Sequence, residues 1–110
     1  VTNNSRASID AMLSRFPLGF DVSLSRDDGP TKPSPALFHL ALARLGVAPE
    51  EALAIGDAHL DLIAAHAAGV AEIVLVSPQP WVMDFVPADV RLRRAADLHE
   101  ARAIIDELLC

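Results

Sequence analysis

The sequence predicts an α/β fold of three layers, with a parallel sheet between helices on its two faces. Three observations carry that reading. Strand-like and helix-like stretches alternate along the chain, which is the pattern of parallel strands joined by crossover helices. Ala71 to Val76 is almost wholly apolar, as suits a strand buried on both faces. Ala52 to Gly69 (ALAIGDAHLDLIAAHAAG) opens with a short apolar run, turns on Gly56 and presents Asp57. It then carries Leu60, Ile63, Ala64 and Ala67 at helical spacing and stops at Gly69, so it reads as strand, turn and helix.

The other elements follow in order. Val1-Thr2-Asn3 reads as the end of a strand. Ser5 caps a helix to about Arg15 that buries Ile9, Met12, Leu13 and Phe16, and Pro17 and Gly19 end it. Phe20 to Leu24 alternates apolar and polar residues and predicts a short strand. Ser25 to Pro33 is a polar loop holding Asp27, Asp28 and Lys32. Ser34 caps the next helix, with Pro35 at its first position and a stripe of Phe38, Ala41, Leu42 and Leu45. Pro49 to Glu51 turns into the strand before Gly56, and Ser77 to Asp89 is a loop containing Trp81, Met83 and Phe85. A final helix starts at Asp97, with Glu100 completing a capping-box pattern, and buries Ala101, Ile104, Ile105 and Leu108.

The chain has 110 residues, 52% of them hydrophobic, enough for one domain with one core. Its net charge of −6 argues against nucleic acid and anionic membranes as partners. No apolar run approaches the roughly 18 residues of a membrane span. The single cysteine, Cys110, makes no disulfide framework and no cysteine metal site. A reducing, cytoplasmic setting is the expected compartment. Of nine basic residues, eight are Arg and one, Lys32, is Lys.

Asp57 falls at the carboxyl end of a strand, where open α/β sheets keep their ligands. Asp61 follows one helical turn later, so the two carboxylates can face one spot. Two hard oxygen donors suit Mg²⁺, which is held by one or two carboxylates together with substrate phosphate and water. The alternative is that Asp57 caps the helix and Asp61 is a solvated first-turn acid.

Three signals stand at strand ends or in the loops after them: VTNNS, KPSP and GDAHLD. In their order and spacing they resemble the second, third and fourth motifs of the haloacid dehalogenase-like (HAD) hydrolase superfamily. Residues 1 to 76 are similar to its phosphoglycolate-phosphatase-like branch. The resemblance implies a Rossmann-like HAD core and Mg²⁺-dependent hydrolysis of a small phosphate ester. It implies that the Thr2 hydroxyl and the Asn3 backbone N–H bind the phosphoryl group. Lys32 would neutralise charge there, as a catalytic and phosphate-binding residue. Asp57, also catalytic, would bind Mg²⁺ directly, and Asp61 would bind it through water or orient Asp57. Taken without the resemblance, Thr2 reads as a turn residue and Lys32 as a solvated loop lysine. His59 lies between the acids, either touching substrate or lying on the surface. His39, His66 and His99 read as helix-surface residues, and Ser77 as a turn.

The family's nucleophile is the first Asp of a DxDxT-type motif on a preceding strand, and no such motif stands in this sequence. The family's cap domain is missing as well. The expectation is therefore a single partial core, residues 1–110, N-terminally truncated and without turnover as an isolated chain. Self-association at the gap left by the absent strand is expected too. A non-catalytic regulatory or interaction module with a residual Mg²⁺ or phosphate site is the alternative. A phospho-receiver domain would need a Lys after the Ser77 strand, where this chain has none.

Overall fold

The computed structural model describes residues 1–109. Cys110, on which the cysteine reading rests, lies outside them. Its core is a parallel sheet of three strands in the order β1-β2-β3: β1 (Leu53–Gly56), β2 (Glu72–Val76) and β3 (Leu92–Ala95). Four helices accompany it, α1 (Arg6–Arg15), α2 (Ala36–Leu45), α3 (His59–Ala67) and α4 (Leu98–Leu109), with short 3-10 turns at Pro49–Glu51 and Pro80–Phe85. In register, Leu53 pairs with Glu72 and Gly56 with Leu75, while Ile73 pairs with Leu92 and Val76 with Ala95. The carboxyl ends of the strands are thus level, and the loops leaving them share one rim.

The two faces of β2 explain the layering. Ile73 and Leu75 point to one side, where they meet Leu42, Leu62, Ala65 and Val82. Val74 points to the other, against Ala95 and Ala101, with Val76 and Ile104 alongside. Burying apolar side chains on both faces of a strand accounts for its unbroken apolar run. Both helix stops at Gly are Schellman closures. At Gly46 (φ 68°) Val47 N–H reaches Leu42 C=O at 3.0 Å, and at Gly69 (φ 81°) Val70 N–H reaches Ala65 C=O at 3.1 Å. Ser5 caps α1 as expected, accepting from Ser8 N–H at 3.1 Å. Asp97 caps α4, accepting from Glu100 N–H at 2.8 Å. No helix among the described residues is long and apolar enough to cross a membrane.

Several expectations require correction. Phe20 to Leu24 forms no strand. The segment is tied to the N-terminus by Thr2 N–H to Leu24 C=O (3.1 Å) and Arg26 N–H to Asn4 C=O (3.0 Å). It stands off from β1 across an apolar groove of about 370 Å³ lined by Val1, Val22, Leu24, Phe38, Leu53 and Ala54. Its two bonds to residues 2–4 do not extend into a ladder, so Val1-Thr2-Asn3, read as a strand end, is no strand either. Conversely, β3 is a strand the pattern does not announce, because Arg93 and Arg94 occupy its middle and are exposed. Charged side chains of this kind are usual on an edge strand.

The helix stripes also shift. Leu37 and Leu42 are buried in α2 whereas Leu45 is exposed. In α3 Ala64 is fully buried as expected, joined by Leu62 and Ala65, while Leu60 and Ile63 are only partly covered and Ala67 is exposed. In α1 only Ile9 is buried, and Met12 and Phe16 lie largely in solvent. Ser34 caps α2 as expected, its hydroxyl accepting from Ala36 N–H at 3.2 Å, and Pro35 already has helical backbone angles (φ −75°, ψ −3°).

Candidate active site

The strand-end rim gathers the five residues singled out from the sequence. Asp61 is the hub. One carboxylate oxygen pairs with the Lys32 ammonium. The other accepts the backbone N–H groups of Asp57 and Ala58, both at 3.3 Å. The Ala58 bond is the half of a capping box that an acid at the third helical position can make alone. The bend this requires explains Gly56. A Cβ there would lie 2.5 Å from Asp61 Oδ2 and 2.6 Å from its Cβ, so the side chain can fold back only over a glycine.

Lys32 lies on the same rim, 29 residues before Asp61 in sequence. Its backbone is gripped by the Asn3 side chain: Lys32 N–H donates to Oδ1 at 3.0 Å, and Nδ2 donates to Lys32 C=O at 3.2 Å. The Lys32 side chain is only 12% exposed, so its ion pair is less screened than a surface pair. Thr2 makes a tight local turn, its hydroxyl oxygen accepting from Asn4 N–H at 3.1 Å. The hydroxyl proton stays free to donate.

Among the described residues, no group of three or more His, Cys, Asp or Glu side chains could hold a metal ion. Asp61 is engaged by Lys32 and by the two N–H groups. The Asp57 side chain is exposed, and its carboxylate makes no hydrogen bond or ion pair among the described residues. One carboxylate completed by water and phosphate oxygens is an ordinary donor set for Mg²⁺. Asp57 fits such an ion as one ligand. Asp61 does not fit as a direct ligand while it holds Lys32. Asp57 also borders a cleft of about 410 Å³ shared with Ile55, Val76, Ser77 and Leu98. There Ser77 takes a left-handed backbone (φ 46°) and donates its N–H to Ala95 C=O at 2.7 Å.

Two features escaped the sequence. Asp27 and Asp28 are wiring rather than chemistry. Asp27 accepts from Arg6 N–H at 2.6 Å. Asp28 accepts from Ser25 N–H at 2.7 Å and from the Arg6 guanidinium at 3.2 Å. Two acids before Gly-Pro suggest only a polar loop, and no local signal points to a partner some twenty residues back. His59, moreover, is not a bare surface residue. Its ring lies 5.0 Å from Trp81 and 4.9 Å from Phe85, and its buried Nδ1 has no hydrogen-bond partner. Trp81 and Phe85 stay half exposed around it, and Val82 covers the core in their place.

Comparison with known proteins identifies the family. A family profile for haloacid dehalogenase-like hydrolases matches residues 1–69. The pyrophosphatase PpaX of Bacillus cereus is 39% identical over 72 residues, which is 63% of this chain and 33% of PpaX. A haloacid dehalogenase-like protein of unknown function from Agrobacterium tumefaciens superposes with a TM-score of 0.78 at 21% identity, over 98% of this chain and 53% of that one. CbbY from Rhodobacter sphaeroides, solved with xylulose-1,5-bisphosphate, superposes at 0.65 with 32% identity, over 83% of this chain and 43% of CbbY. The chain thus spans between a third and about half of the length of these relatives. A lysine, a strand-end acid and a folded-back second acid on one rim of a parallel sheet, together with a profile covering most of the sequence, place the chain in the haloacid dehalogenase-like hydrolase family.

Proposed function

We propose that the chain is the C-terminal part of a Mg²⁺-dependent phosphohydrolase that acts on a small phosphate ester. The observation that carries this reading is the meeting of Lys32 and Asp61 beside the unpaired Asp57 carboxylate. A phosphoryl group at this rim takes the Thr2 hydroxyl and the Asn3 N–H as donors. Lys32 offsets the charge that gathers on the phosphoryl oxygens as the bond to the leaving group lengthens. Asp61 keeps the ammonium from swinging into solvent and aims the turn that presents Asp57. A bound Mg²⁺ on Asp57 would add further charge neutralisation.

Among the described residues, none of the four acids Asp27, Asp28, Asp57 and Asp61 is left to attack phosphorus. Asp61 is engaged, Asp57 is the fitting metal ligand, and Asp27 and Asp28 are bound to Arg6 and Ser25. The nucleophile of the proposed reaction therefore comes from outside this chain, from a segment that enters the groove beside β1. Alone, the chain binds phosphate without forming a covalent intermediate. That same groove makes it prone to self-association.

Phosphate release from an aryl phosphate with Mg²⁺ tests the reading. The isolated chain should release none. In the full-length product of the gene, Asp57→Asn should weaken the Mg²⁺ dependence, and Lys32→Ala should cut turnover by about 10²–10³. Robust turnover by the isolated chain, or a magnesium titration unchanged in Asp57→Asn, would overturn it.

A further inference from the structure

The Asn3 side chain spends both of its hydrogen-bonding ends on one residue, and that residue is the chain's only lysine. Oδ1 meets the Lys32 N–H and Nδ2 meets the Lys32 C=O, so the amide mimics a neighbouring strand and closes a two-point ring. Turning the amide over would set donor against donor and acceptor against acceptor, which fixes its orientation. Aspartate at this position would keep the acceptor but face the Lys32 carbonyl with a second oxygen, and alanine would leave both backbone groups without this partner. Lys32 is thereby held at two ends by two separate segments, its backbone by Asn3 and its ammonium by Asp61.

The loop does not need Asn3 to stay attached. The Arg6 guanidinium holds Ser23 Oγ at 2.9 Å and Ser23 C=O at 2.5 Å, and the Arg26 N–H to Asn4 C=O bond supplies another tie. What Asn3 adds is the register of Lys32 against the Thr2 turn, its immediate neighbour in sequence.

We propose that Asn3 is a positioning residue that locks the Lys32 backbone to the Thr2 turn, so that hydroxyl and ammonium meet one phosphoryl group as a preset unit. The inference rests on the phosphoryl-site reading above and adds to it a residue whose side chain acts only through Lys32. A preset pair binds more tightly because less freedom is lost on binding.

The single lysine makes the test direct. Chain labelled with ¹³C at lysine Cε gives one side-chain resonance, that of Lys32, and inorganic phosphate is titrated against it. The wild-type chain should show a saturable shift. Asn3→Ala and Asn3→Asp should each raise the phosphate dissociation constant about tenfold. They should also sharpen the Lys32 Cε line as the side chain gains motion, and speed hydrogen exchange of the Lys32 amide. Exchange at Ile73 and Val74 should stay unchanged. Phosphate affinity and Lys32 line width unchanged in Asn3→Ala would overturn the role of Asn3 alone. No saturable shift in wild type, or a ³¹P-measured affinity unaltered by Lys32→Met, would instead overturn the phosphoryl-site reading and the proposal with it.

Discussion

Asp61 shows how much of the rim one carboxylate can organise. Its contacts reach Lys32, the Asp57 amide and the Ala58 amide, and Gly56 supplies the space. Gly56→Ala should therefore push Asp61 off its partners, with a stability loss of about 1–3 kcal/mol typical of overpacking. A thermal unfolding midpoint equal to that of wild type would contradict this packing account. Asp28 offers a test by pH. The Ser25 N–H, and after it the Arg6 guanidinium, hold its carboxyl below the ordinary value. Its contribution to stability is then full above about pH 4, the ordinary carboxylate value. It is lost as pH falls through the lower value of the folded state. Asp28→Asn should lower the melting midpoint at pH 7 and converge on wild type in acid. A constant difference between the two at every pH would show that the ionised form is not what stabilises. From sequence, the turn presenting Asp57 and Asp61 was legible because a strand end and Gly56 punctuate it, whereas Lys32 follows no strand and stood out through the KPSP resemblance. The Asn3 grip and the Arg6 wiring were not legible, since both join residues far apart in sequence through side-chain geometry that no periodicity encodes.

At the scale of elements, glycine and capping residues marked helix ends well, and rotation about the helix axis poorly. Both Schellman stops fell at the expected glycines, and Asp97 caps α4 as the pattern anticipated. Asp97→Ala should cost about 1 kcal/mol, read as a lower denaturant midpoint with an unchanged slope. A variant as stable as wild type would mean that the cap is replaceable by water. Stripes failed where a helix meets two partners. Leu62 is buried because α3 is wedged between the sheet and the turn at Pro80–Phe85, so its apolar face is wider than one stripe. β3 escaped notice for the opposite reason. It is half covered and carries Arg93 and Arg94, so neither alternation nor a continuous apolar run announces it. The 20–24 segment shows the limit of alternation, since an extended stretch becomes a strand only beside a partner.

For the molecule as a whole, the two rims of the sheet are unlike. β3 closes one side with exposed arginines, which repel a like neighbour. β1 closes the other with Leu-Ala-Ile-Gly and carries no charge; its Leu53 and Ala54 line the apolar groove, and Ile55 is half exposed at the cleft beside Asp57. Association of the isolated chain should therefore run through the β1 side, and light scattering at rising concentration tests it. A charge placed on that side, Ile55→Lys, should return the chain to a monomer, and a monodisperse wild-type monomer at every concentration would remove the idea. The asymmetry also bounds how far such assembly can go. A contact between two β1 rims uses the same surface on both copies and is closed by a two-fold axis. The outward faces of the pair are then arginine-bearing β3 rims, which offer no further site for growth. The scattering mass should level off at two chains, giving a capped dimer in place of an open fibre.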